Sequence, residues 1–135
     1  MKIRHQTVLK KLLRPFDYAF YRLAELFFKK DGSEAIRAIG LLSLMQGLYI
    51  GFFVTMLNRK IAEFELITSL KWGKILLAAL TITLFAVNYK RYANNFYTMA
   101  GMWRGTEKIY QRRVRSIYII LSFLSSLLIY LFALL

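Results

Sequence analysis

The chain has 135 residues, the size of one ordinary domain; 58% are hydrophobic, and 20 Lys and Arg stand against 7 Asp and Glu, a formal net charge of +13. That composition is odd for a soluble domain and fits one chain only if apolar and basic residues are segregated along it, which leaves no room for a catalytic domain with accessories. The absence of cysteine excludes disulfides and thiolate chemistry.

Residues 1–37 read as a basic tail followed by an amphipathic helix. In PFDYAFYRLAELFFKK, residues 15–30, Pro15 suits the first helical position, Asp17 the first turn, and Lys29 and Lys30 the last turn. Phe16, Phe20, Leu23 and Phe27 form one apolar stripe, which predicts a helix lying on the inner leaflet of a membrane or packed against a bundle. Asp31-Gly32-Ser33-Glu34 breaks it, with Asp31 or Ser33 as the cap of the next helix. No cleavable signal peptide is expected, because the first long apolar run starts near residue 38.

Residues 38–57, AIGLLSLMQGLYIGFFVTML, are free of charge and predict a first transmembrane helix, since 20 residues at about 1.5 Å each cover the hydrocarbon core. Gly40, Ser43, Gly47 and Gly51 share an arc of roughly 80° on that helix, a small-residue face that lets another helix approach closely. Gln46 lies at its edge and calls for a partner such as Thr81, Thr83 or a serine of the last helix.

Residues 58–69 form the outer connection, expected to hold a short interfacial helix. Residues 70–89 read as a second span whose apolar centre, 75–87, is short and is extended by Leu70, Trp72, Asn88 and Tyr89 while Lys71 and Lys74 snorkel. Ala79, Thr83 and Ala86 form its small, bundle-facing side; Lys74, Thr81 and Asn88 form a polar stripe opposite, expected to face another protomer, a different protein or water.

Residues 90–115 make a basic, aromatic connection in which Tyr89, Tyr92, Phe96, Tyr97 and Trp103 read as an interfacial belt, ahead of a nucleic-acid stacking surface. Gly101 and Gly105 mark breaks, and Thr106 is the expected N-cap of the next helix. Residues 116–135, SIYIILSFLSSLLIYLFALL, are a third charge-free span with Ser122, Ser125 and Ser126 on its small face.

The expected architecture is thus an all-α integral membrane protein, a single membrane domain of three transmembrane helices preceded by an amphipathic interfacial helix. Nine Lys and Arg precede the first span, four fall in residues 58–74 and seven in residues 89–115, which puts the N-terminus inside and the C-terminus outside. The inner pieces carry +5 and +6 against +2 outside. Arg14, Arg22, Lys29, Lys30, Lys90, Arg91, Arg104, Arg112, Arg113 and Arg115, with Trp72 and Trp103 at the interface, are expected to meet anionic lipid headgroups, each basic residue adding roughly 1 kcal/mol.

No Asp, Glu, His, Lys or Arg lies at the centre of the three spans, His5 sits in the basic tail, and the carboxylates show no paired spacing. An enzyme, a metal site, a cofactor and an ion-coupled carrier are all argued against. FDYAFYRLAELFFKKDGSEA, then LLSLMQ, then a basic YQRRVR before a terminal apolar helix, resembles small three-span membrane proteins of unassigned function frequent in Bacteroidota genomes. The resemblance implies a bacterial inner-membrane address and carries no functional residue. The expected role is a structural, assembly or regulatory subunit working by helix packing, with another membrane protein or further copies as partner. A homo-oligomeric pore or membrane-disrupting effector is the alternative, and a lipid or glycan-lipid handling accessory the third.

Overall fold

A computed structural model describes the backbone of residues 2–60 and 70–134, and the side chains of residues 13–57 and 74–132. Of the outer connection, residues 58–60 continue α2 and residues 61–69 lie outside the described ones, as does the side chain of Trp72. Within them the chain forms five helices, α1 (Lys2–Asp31), α2 (Ile36–Lys60), α3 (Leu70–Tyr92), α4 (Phe96–Trp103) and α5 (Ile109–Leu134), with a 3-10 turn, Gly32–Glu34, between the first two.

Helix α1 continues through Pro15, which lies inside it and not at its start. The ring removes only one intrahelical hydrogen bond, and the residues after it are anchored by tertiary packing. Tyr18, Ala19, Phe20, Tyr21 and Ala24 are buried against Ala38, Ile39 and Leu42 of α2, Tyr92 of α3, and Phe96, Ala100 and Trp103 of α4. Phe20 stacks on Tyr92 at 4.5 Å between ring centroids, and Tyr21 on Trp103 at 5.7 Å. Of the two placements expected for this helix, on a membrane surface or against the bundle, it takes the second and forms one wall of an aromatic core.

The corner between α1 and α2 is closed by Asp31, whose Oδ2 accepts the Arg37 backbone N–H at 2.7 Å, while Ala35 takes a left-handed conformation at φ 52°. Thr106 does not cap α5. Its hydroxyl donates back to the Trp103 carbonyl at 3.1 Å and so closes the end of α4. Gly105, at φ 86°, makes the turn that follows, whereas Gly101 lies inside α4 and breaks nothing.

The three-span, multi-pass inner-membrane architecture is not retained. Among the described residues two helices are long and apolar enough to cross a membrane, Ile36–Leu57 of α2 and Ile109–Phe132 of α5. The third candidate, α3, is not one of these, and its C-terminal end belongs to a polar core. Asn88 is buried in hydrogen bonds to α2, and Arg91 is paired with Asp17 of α1. The inside and outside orientation inferred from charge counting rested on that third span and goes with it. What stands is an all-helical, five-helix fold.

Candidate functional site

Helix α1 presents two polar edges to the rest of the molecule. Asp17 faces α3, where Arg91 binds it through Nη2 at 2.9 Å and Nε at 3.2 Å, and where the Tyr92 hydroxyl donates to the same Oδ1 at 2.9 Å. Burial, and then the hydrogen bond to Asp17, raises the Tyr92 phenol above its ordinary pKa.

Tyr18, Arg22 and Glu25 fall on one face at spacings of four and three residues, and that face meets α5. Tyr18 donates to Glu107 at 2.6 Å, and Arg115 binds the same carboxylate oxygen at 2.9 Å. Burial pushes the Tyr18 phenol up to about 12, with the Glu107 hydrogen bond as the next cause. Glu25 joins Arg22 to Arg112, the latter at 2.6 Å, and Arg22 also donates to Ser116 Oγ at 2.8 Å. No buried side-chain nitrogen or oxygen lacks a partner among the described residues.

Beside this network α1, α2, α5 and the α4–α5 turn enclose a cleft of about 910 Å³. Along α5 its wall runs from Gln111 and Arg115 past Ile119 to Ser122, one helical face of roughly 16 Å with the apolar Ile119 between its polar ends. Helix α1 contributes Arg14, Phe16 and Ala19, and α2 contributes Met45 and Tyr49. The Tyr49 hydroxyl donates to the Ser122 carbonyl at 2.9 Å and lies 2.8 Å from Ser125 Oγ, so the cleft's inner end is fixed by an interhelical hydrogen-bond cluster.

The small face of α2 lies inside the bundle. A Cβ at Gly47 would meet Thr81 Oγ1 at 2.8 Å, one at Gly51 would meet Leu77 and Tyr130 at 3.1 Å each, and one at Gly40 would reach Phe85 at 3.9 Å. Asn88 Nδ2 donates to Ser43 Oγ at 2.9 Å and to Gln46 Oε1 at 2.7 Å. Ser126 is buried and donates to the Phe123 carbonyl at 2.7 Å. Helix α3 is therefore turned the other way from the sequence reading. Thr81 and Asn88 of its polar stripe face α2 and only Lys74 is exposed, whereas Ala79, Thr83 and Ala86 are exposed. Polarity points inward here because Ser43 and Gln46 satisfy Asn88, while the Thr81 hydroxyl donates to the Leu77 carbonyl of its own helix at 2.8 Å.

The residues assigned to headgroups divide in two. Trp103 is buried, and Arg22, Arg91, Arg112 and Arg115 are ion-paired. Arg14, Lys29, Lys30, Lys90, Arg104 and Arg113 are exposed, with no carboxylate partner among the described residues. Of the expected belt, Tyr92, Phe96 and Trp103 face the core, while Tyr89 and Tyr97 face outward. The Asp17, Tyr18, Glu25 and Glu107 contacts escaped sequence reasoning, although the 18, 22, 25 spacing was a signal of a polar face on α1.

Compared with protein-family models, curated proteins and solved structures, the chain matches none.

Proposed function

We propose that the chain is a non-enzymatic helix-packing subunit of a larger assembly, and that the outer face of α3 seats an apolar helix of another protein. The observation that carries this is the exposed strip Ala79, Thr83 and Ala86, flanked by exposed Ile75, Leu76, Ile82 and Val87. Small residues at this spacing allow close backbone approach, and large apolar side chains beside them supply area to bury. Thr83 turns its hydroxyl back to the Ala79 carbonyl at 2.9 Å, so the strip presents no unmet donor. The edge of α3 that could line a path for water is occupied, since Thr81 and Asn88 lie against α2, which supports a packing role ahead of a pore. Asp17, Glu25 and Glu107 are each held by arginine, an arrangement that serves structure better than proton transfer.

A photo-crosslinking residue at Ile82, introduced in the native host at natural abundance, tests the reading. The expected product is one defined heterologous protein, lost when Thr83→Leu is added. Crosslinks to further copies of the chain alone, or to lipid alone, would sink it.

A further inference from the structure

We propose that the cleft between α1, α2 and α5 binds an anionic, single-chain amphiphile, its acidic head at Arg115 and Gln111 and its chain over Met45 and Ile119. The inference does not depend on the α3 partner, since it concerns a different face of the molecule.

The cleft's volume, about 910 Å³, suits a ligand of lipid or drug size. Along α5 a charged end is followed by an apolar one, with Gln111 and Arg115 one to two turns ahead of Ile119, which shares the lining with Phe16 and Met45. Charge decides the sign of the head. Two guanidinium groups, Arg14 and Arg115, line the cleft against one carboxylate, Glu107. That carboxylate is only 5% exposed and already accepts from Tyr18 and Arg115, so it offers little to a cation. Arg115 is 48% exposed and uses Nη1 on Glu107, which leaves further N–H groups for an incoming anion. The apolar wall combines Phe16 and Met45 with Ile119, and a thioether adapts to a flexible chain better than a branched side chain would.

The test uses the full chain held in an amphipathic polymer, with cis-parinaric acid and its methyl ester as probes, read by the rise in the polyene's own fluorescence on direct excitation, so that added tryptophans do not enter the signal. The acid is expected to bind saturably at one equivalent, with the ester about tenfold weaker, the scale of one charge-assisted hydrogen bond. Gln111→Glu places a carboxylate in the first turn of α5, where it favours the helix, and is expected to weaken the acid by a similar factor without moving the ester. Ile119→Trp, which fills the apolar wall, is expected to lose both probes. Leu128→Trp, on the exposed side of α5, leaves binding unchanged. Equal affinity for acid and ester, or undiminished binding of the acid by Gln111→Glu, overturns the proposal. So does a matching loss in Leu128→Trp, which would mean adsorption to the outer face, or displacement of the acid by inorganic phosphate alone, which would mean a small-anion site without a place for the chain.

Discussion

Where α1 meets α4 and the adjoining ends of α2, α3 and α5, aromatic rings stack in a closed core and carboxylates bridge helices through arginine; where α2, α3 and α5 run on together, the helices meet closely along glycine and hydroxyl residues. The first region buries its own surface, with Phe20, Tyr92 and Phe96 almost wholly enclosed. The second turns most of its apolar side chains outward, among them Ile82 at 69% and Leu128 at 65% exposure. Only 6% of the apolar stretch of α5 is buried, against 33% in α2. The contrast teaches that amount of apolar sequence and amount of core are separate quantities. The least hydrophobic helix, α1, still supplies one wall of the aromatic core, because its rings find partners on three other helices.

Substitutions can break that contrast, and the largest effect is expected in the closed region. Phe20→Ala removes a fully buried ring stacked on Tyr92 and should cost about 3–5 kcal/mol, read from denaturant unfolding followed by circular dichroism. A loss below that of an exposed substitution would mean that the aromatic core is not what holds α1. Gly47→Leu probes the other region. Its Cβ alone would lie 2.8 Å from Thr81 Oγ1, and overpacking of this kind is expected to cost about 1–3 kcal/mol in the same assay.

A pH titration sharpens the comparison further. The Tyr18 phenol is raised from 10.0 to about 12 in the fold, so its contribution is fully present below pH 10 and is lost as the pH climbs toward 12. Unfolding at pH 9 and pH 11 should show the decline, and Tyr18→Phe should reduce its slope. The smallest effect belongs to the outer strip. Thr83→Leu should change stability by less than about 0.5 kcal/mol, although it removes the proposed association.

The sequence reveals the helical class, the break at residues 31–34, the turn at Gly105 and the close-packing glycines, because each depends on local backbone chemistry or on missing side chains. It does not reveal which side of α3 faces inward. Ala79, Thr83 and Ala86 on one side and Thr81 and Asn88 on the other are equally periodic, and the choice is made by Ser43 and Gln46, which lie 45 and 42 positions from Asn88. The bridges from Asp17 to Arg91 and from Tyr18 to Glu107 have the same origin. Their partners are 74 and 89 residues apart, and nothing local in either segment names the other. Counting three spans failed for a related reason, since the polar end of α3 reads as a membrane boundary until its partners are known.

Ala35 carries a further consequence. An alanine in the left-handed region costs about 1 kcal/mol relative to ordinary backbone, and its methyl group is buried in the shared aromatic core. The corner between α1 and α2 keeps its angle by what surrounds it and not by its own preference. Helix α1 is therefore no flap that can lift while α2 stays in place. The amides at the end of α1 and the start of α2 are expected to exchange with solvent through one shared opening, which hydrogen exchange under native conditions checks.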